Sequence, residues 1–339
     1  MGKLSYYTRV VKNASFKKFF DVVDESAKRS GKSKASVFFD IINCMKKYDA
    51  GYYDYLIFQF WNLTPEQRNT YLTRFRSKKL IMLMNDHEYA HFFDNKNEFN
   101  EKFKDFIGRE YIDMATASKE DVIDYYNRKD KYFCKMLDLT CGHGAELLKK
   151  EDFKDGEEFY NYVIEKGFGT LEDVIENHPD VAKLYPCSVN TCRVITMVDA
   201  KGEAHCMLCV FKMGNEGRVV DNYGLHSPVD METGEILFPC HSGDTVEDKL
   251  YTEHPYTHVP LVGYKVPLVK EAVEMAKKAA LVVPQMRYIG WDIALTPNGP
   301  AIIEGNNYCA HDFWQLPGQT PDGIGMVPKI QEVIPEFKI

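Results

Sequence analysis

The sequence predicts an α+β protein. Helical spacing of apolar residues fills roughly the first 100 positions, strand-like runs gather after about residue 130, and those runs are not separated by helices at the regular intervals of a βαβ fold. Residues 15–48 place Phe16, Phe19, Phe20 and Val23, then Val37, Phe38, Ile41, Ile42 and Met45, at helical spacing, with a break at Ser30-Gly31. Asn62-Leu63-Thr64-Pro65 reads as a helix start, Thr64 capping and Pro65 at the first helical position. The aromatic residues Tyr52, Tyr53, Tyr55, Phe58, Phe60 and Trp61 are expected to pack between helices.

Further along, Tyr132 to Leu137 reads as a strand followed by a turn, Thr140-Cys141-Gly142-His143-Gly144. Phe159 to Glu165 has helical spacing. Thr191 to Val198 is β-branched and alternating, and the turn Asp199-Ala200-Lys201-Gly202 leads to a second strand, Ala204 to Phe211, and a third, Gly217 to Val220. Pro267 to Ala280 is an amphipathic helix with Ala272, Val273, Met275, Ala276 and Ala279 on one face. Tyr288 to Leu295, the turn Thr296-Pro297-Asn298-Gly299, and Pro300 to Glu304 make a last hairpin.

Composition narrows the function classes. A chain of 339 residues suggests about two domains, and 45% hydrophobic with 27% charged residues suits a soluble globular protein. No apolar run approaches the ~18 residues of a bilayer span. The N-terminal residues lack the apolar stretch of an export signal, and Tyr6 breaks the myristoylation pattern that Gly2 would begin. Nine cysteines without a framework then read as reduced thiols, and the expected compartment is the cytoplasm. Cys206 and Cys209 form one CxxC, to which Cys240-His241 would in principle supply the second pair for zinc. Buried strand thiols are the expectation. The net charge of −8 argues against nucleic acid as a partner. Residues 1–35 nevertheless carry nine Lys/Arg against Asp21, Asp24 and Glu25. Beside Phe16, Phe19 and Phe20 this basic arm offers weak contact with an anionic membrane surface, although a solvated helix face is the plainer reading.

The last hairpin carries the chemistry. It reads Gly290-Trp291-Asp292-Ile293 on one strand and Ile302-Ile303-Glu304-Gly305-Asn306 on the other. Pairing brings Asp292 near Glu304, and Glu304 and Asn306, two apart, share a face. Two carboxylates and an amide oxygen are hard donors of the kind Mg²⁺ accepts beside water and phosphates. The alternative is that both acids pair with basic residues and Asn306 makes a turn.

This Asp…Glu-x-Asn hairpin resembles the metal-binding end of the ATP-grasp superfamily. With Ser188-Val189-Asn190-Thr191-Cys192-Arg193-Val194, Val219-Val220-Asp221-Asn222 and Gly299-Pro300 in the same order, the chain resembles the sugar-transfer-associated ATP-grasp family, related to α-L-glutamate ligases, from roughly residue 90 onward. The resemblance implies an ATP-grasp fold of two α+β lobes clamping ATP. It sets a mainly helical region over 1–90, a lobe with phosphate flap and adenine hinge over 91–186, and a catalytic lobe with the magnesium site over 187–339. It implies ATP and Mg²⁺ as cofactors and Asp292, Glu304 and Asn306 as metal ligands. Lys135 and the earlier Lys96 resemble the phosphate-binding lysines, in a region that is also simply lysine-rich around Lys96. Gly142 and Gly144 resemble the flap. Glu172 or Asp173, with Val174 against the base, resembles the hinge, the alternative being a helix start capped by Thr170. Arg193 suits a phosphate or carboxylate, with pairing to Asp221 as the alternative, and Lys212 stands where the family more often has Arg. The sequence Tyr223-Gly224-Leu225 replaces the paired glycines that usually follow Asp221-Asn222.

The activity so implied is ATP-dependent carboxylate–amine ligation through an acyl phosphate, in cell-surface polysaccharide or related small-molecule biosynthesis. The partners would be a small carboxylate and an amine, with no nucleic acid. A phosphotransferase acting on a sugar hydroxyl and a non-catalytic nucleotide-binding scaffold for a glycosyltransferase are the rival readings.

Overall fold

The computed structural model describes residues 16–137, 144–215, 217 and 224–339. The chain divides into two compact units. Among the described residues, the first comprises 16–83, 244–248 and 310–339, and the second 84–243 and 249–309.

The first unit is helical. Helix α1 (Phe16–Ser30) and helix α2 (Lys34–Lys47) are separated at Ser30-Gly31 as the spacing predicts, Gly31 taking a left-handed φ of 69°. Ser33 caps α2, its side chain accepting from the Ser36 amide at 3.2 Å. Helix α3 (Tyr52–Ile57) follows, and helix α4 (Pro65–Asn69) opens with Thr64 and Gln67 in a reciprocal capping box. The core joins Val22, Val23, Val37 and Ile41 to Tyr48, Tyr55, Phe58, Phe60, Trp61 and Tyr71. The aromatic cluster thus packs between helices, apart from Tyr53, which is exposed. Two polar pairs brace it. Arg68 clamps both oxygens of Asp40 at 2.8 and 3.0 Å, and His311 meets the buried Asp54 at 2.8 Å.

The second unit contains two antiparallel sheets. The smaller has strands β1 (Tyr111–Asp113), β2 (Lys131–Lys135), β3 (Ala145–Lys149) and β4 (Thr170–Glu172), ordered β1-β4-β2-β3. Helices α5 (Lys119–Arg128) and α6 (Gly156–Lys166) cover one of its faces, burying Tyr125, Tyr126, Phe159 and Val163 against Tyr132, Cys134, Leu148 and Leu171. The segment at Thr170 is therefore a strand, not a capped helix start. Its place between β1 and β2 gives the short Thr-Leu-Glu run a ladder on both sides.

The larger sheet has seven strands: β5 (Thr191–Val198), β6 (Ala204–Met213), β7 (Leu225–Pro228), β8 (Cys240–Ser242), β9 (Leu250–Tyr251), β10 (Tyr288–Thr296) and β11 (Gly299–Asn306), ordered β11-β10-β5-β6-β7-β8-β9. Both predicted hairpins form, and the turn glycines Gly202 and Gly299 take φ of 83° and 115°. Of the predicted third strand, Gly217 lies outside any strand and 218–220 lie outside the described residues. The next strand is Leu225–Pro228. Helix α7 (Val269–Ala279) packs Ala272, Val273 and Ala276 against Cys192, Val194, Cys209, Phe211, Trp291 and Ile293. Trp291 is fully buried, its indole N–H donating to Thr196 at 2.8 Å. Cys209 is buried in this core and Cys206 half-buried. Among the described residues the one group of three potential metal-binding side chains, Asp199, Glu203 and His205, includes neither.

Two predictions follow from packing. Trp291→Ala should cost about 3–5 kcal/mol, measured as a fall in the denaturant midpoint. Burial pulls the His311 imidazole down, but the hydrogen bond and charge of Asp54 outweigh it and leave its pKa above the ordinary value. A raised histidine pKa stabilises below the unfolded value and is lost as pH rises through the folded one. The Tm gap between wild type and His311→Asn should therefore be larger at acidic pH than at alkaline pH.

Candidate active site

Residues paired across antiparallel strands share a face. In the large sheet that rule lines up one polar row on the face opposite α7. Glu304 pairs with Asp292, Asp292 with Arg193, Gly290 with Asn306, and Lys212 with His226 and Thr191. The predicted residues Asp292, Glu304, Asn306, Arg193 and Lys212 are thus brought onto one surface, although they come from four strands.

Electrostatics differ along this row. Arg193 grips Asp292 through two parallel contacts, Nε to Oδ1 and Nη2 to Oδ2, the latter at 2.6 Å, and both side chains are buried. Burial alone would lift the Asp292 carboxyl. The charges of Arg193 and Lys212 instead hold it well below the usual carboxylate range. Asp292 thus has a basic partner, as the alternative reading of the hairpin supposed. Glu304 has no Lys or Arg within ion-pair distance among the described residues. Its surface is open to solvent, yet desolvation by its close neighbours and the charge of Asp292 push its carboxyl up. Asn306 ends the strand and makes no turn. Its amide nitrogen donates to the Gly290 carbonyl at 3.2 Å and to Glu304 Oε1 at 3.4 Å, so its oxygen is the group left to accept or ligate. Two adjacent carboxylates, one of them without a cation, and an amide oxygen fit a hard divalent ion such as Mg²⁺.

The small sheet supplies a second cluster. Lys135 Nζ meets Glu172 Oε2 at 2.6 Å and lies over the Phe133 ring at 5.3 Å. Glu172 also accepts from Arg109 Nε at 2.8 Å and from the Asn100 amide at 3.3 Å. Arg109 continues to the large sheet, donating to the carbonyls of Ile302 at 2.7 Å and Ile303 at 3.4 Å. Desolvation works against Glu172, but Lys135 and Arg109 hold its pKa down to about 2. Burial pulls Lys135 below the ordinary lysine value, with Glu172 opposing.

Two of the adenine-hinge candidates are therefore engaged inside the protein. Glu172 is shared by three donors, and Asp173 accepts from Tyr125 at 3.0 Å, Lys129 at 2.9 Å and the Glu110 amide at 3.2 Å. Val174, half-buried, follows directly on the chain. Lys96 donates to the Leu137 carbonyl at 2.9 Å, where the chain leaves β2 for the predicted flap. Gly144 ends that loop with a φ of 69°, whereas Gly142, Asp221 and Asn222 lie outside the described residues. Arg109 and Asn100 were not singled out from the sequence. The one local signal is an arginine directly after Gly108, whose φ is 58°.

A model of the family described as sugar-transfer associated ATP-grasp matches residues 160–333, just over half of the chain. The chain belongs to the sugar-transfer associated ATP-grasp family. The matched span holds both the polar row of the large sheet and the β4 segment. Similar solved structures include the ATP-grasp ligase PsnB with minimal precursor, Mg and ADP (10% identity, TM-score 0.44, 75% of this chain and 62% of that one). D-alanyl-alanine synthetase A from Vibrio cholerae is 17% identical, with a TM-score of 0.39 over 72% of this chain and 60% of that one. The ADP complex of N5-carboxyaminoimidazole ribonucleotide synthetase is 10% identical, with a TM-score of 0.40 over 65% and 46%. The chain thus spans about half to three-fifths of the length of these proteins. No curated protein matches it.

In this ATP-grasp protein, removing one partner of the buried triad should be costly. Arg109→Met leaves Glu172 with Lys135 as its one cation beside the Asn100 amide, and frees two carbonyls of β11. It should lower stability by about 3–5 kcal/mol in urea unfolding, whereas the exposed Arg128→Met should leave the urea midpoint nearly unchanged.

Proposed function

We propose that the protein is an ATP- and Mg²⁺-dependent carboxylate–amine ligase acting in cell-surface polysaccharide or related small-molecule biosynthesis in the cytoplasm. The observation that carries this reading is the polar row Asn306–Glu304–Asp292–Arg193–Lys212 on the face of the large sheet opposite α7. The family description supplies the link to sugar transfer.

Asp292, Glu304 and Asn306 would hold Mg²⁺, which when bound neutralises phosphate charge and organises the triphosphate. Lys135 and Lys96 would meet phosphate oxygens, with the Gly142 and Gly144 flap closing over them, and Val174 would touch the base. Asp173 or Glu172 would take the hinge position only by exchanging a present partner. Lys212 would face the γ-phosphate. Arg193 acts by fixing Asp292 in place. A substrate carboxylate oxygen attacks the γ-phosphorus, the bond to the β–γ bridging oxygen breaks, and ADP leaves. An amine then attacks the acyl carbon of the acyl phosphate, loses a proton and expels inorganic phosphate. No protein nucleophile is needed. Catalysis is positioning and charge stabilisation in a site from which the flap excludes water.

A screen of carboxylates and amines reading ADP release, with mass spectrometry of the products, tests this. ADP and free phosphate that appear only when both substrates are present support the ligase. A phosphorylated sugar would replace it with a phosphotransferase, and tight Mg–ATP binding without turnover with any acceptor would replace it with a scaffold. Glu304→Gln should reduce turnover ~100-fold or more while leaving the Tm equal or slightly higher, because it removes the repulsion with Asp292. Near-wild-type turnover would sink the metal assignment.

A further inference from the structure

The helical pair α1–α2 leaves an aromatic edge in solvent. Phe16, Phe20 and Phe39 are 71%, 52% and 70% exposed. One exposed phenylalanine needs no explanation, but these belong to a contiguous group. Phe20 stacks on Phe38 at 6.4 Å, Phe38 meets Phe39 edge-on at 5.4 Å, and Phe16 and Phe20 stand one turn apart on α1. The purely solvated helix face expected from the charge pattern does not account for three rings held in water.

The charge around the edge is basic. Residues 16–47 carry eight Lys/Arg against four Asp/Glu, in a chain whose net charge is −8. Three of those acids are already engaged: Asp24 by Lys34 at 2.8 Å, Glu25 by Arg29 at 2.7 Å and Asp40 by Arg68. Lys17 adjoins Phe16, and Lys46 lies two turns beyond Phe39 on the same side of α2, with Lys47 next to it. Among the described residues these three lysines have no carboxylate within ion-pair distance.

We propose that this edge of α1 and α2 docks on an anionic lipid bilayer. Phe16, Phe20 and Phe39 enter the boundary between headgroups and acyl chains, and Lys17, Lys46 and Lys47 meet lipid phosphates. Lysine is the fitting cation here, because a flexible point charge follows a fluid array of phosphates, whereas a fixed carboxylate on a protein partner would favour the arginine fork. A second copy of the chain is the wrong occupant, since two basic edges repel. This inference is independent of the ligase reading, because it needs neither nucleotide nor acceptor.

Flotation of the full chain with phosphatidylcholine vesicles, with and without phosphatidylglycerol, tests it. Binding should require phosphatidylglycerol and fall roughly tenfold or more at high salt or in Lys46→Glu/Lys47→Glu. Phe20→Ser/Phe39→Ser should also lose roughly tenfold, with a cooperative melt and only a small fall in Tm because both rings are more than half exposed. Absence of binding to anionic vesicles overturns the proposal. So does wild-type binding by both double variants, which would place the contact elsewhere on the chain. Self-association in sedimentation that Phe20→Ser/Phe39→Ser abolishes, without vesicle binding, overturns it in favour of a second copy.

Discussion

The site depends on one buried guanidinium. Arg109 holds Glu172 on the last strand of the small sheet and the carbonyls of Ile302 and Ile303 on the edge strand of the large one. Five donors in a planar fork can do this, and a lysine could not. With Lys135 beside it, two cations share one buried carboxylate, so the small-sheet half of the site is left net positive. The opposite half has the reverse imbalance: Asp292 is matched by Arg193, while Glu304 stands beside it with its carboxyl pushed up. A positive half facing an under-compensated carboxylate suits a polyphosphate that carries its own divalent cation. Neither an anion alone nor a cation alone would satisfy both.

Each sheet can spare a polar face because its other face is fully covered. Alternation sends Tyr132, Cys134 and Leu171 under α5 and α6, and Cys192, Val194, Trp291 and Ile293 under α7. The alternate positions, Phe133 and Lys135 in one sheet and Arg193 and Asp292 in the other, are freed from packing duty. Close packing also sets the side-chain size at Gly305, where a Cβ would lie 2.8 Å from the Phe93 ring and 3.1 Å from Trp291. The glycine between Glu304 and Asn306 therefore lets the strand seat against aromatic rings while its two polar neighbours point the other way.

Much of this was legible from local signals. The hairpin with Asp292, Glu304 and Asn306 announces itself by alternation, turn residues and donor chemistry within one short stretch. The helices over Phe16–Lys47 announce themselves by spacing, and the one at Pro65 by the Thr64 cap. Arg109 and Asn100 were not legible, because their partners on the two sheets lie 63 to 194 residues away in the chain and no local pattern encodes such a meeting. Separations of 37 to 48 residues likewise hid the engagement of Glu172 by Lys135 and of Asp173 by Tyr125 and Lys129. A carboxylate in a Glu-Asp pair reads as available until the strand that brings Lys135 and the helix that brings Tyr125 and Lys129 to it are known.

The run Ala301-Ile302-Ile303-Glu304 contains a conflict that only a backbone irregularity resolves. In a regular strand residues two apart share a face, so Glu304 would follow Ile302 into the core. Ile302 is fully buried opposite Ile293, yet Glu304 pairs with Asp292 on the polar face. The register shifts between Asp292 and Ile293, leaving Ile303 as the extra residue of a bulge that turns the strand over by one position. A bulge interrupts the ladder and loosens its carbonyls, and the two carbonyls at this one are those that Arg109 takes. The residue that joins the two sheets is therefore also the one that keeps Glu304 facing the site. Any substitution that relaxes the bulge turns the Glu304 carboxylate off the polar face without touching it.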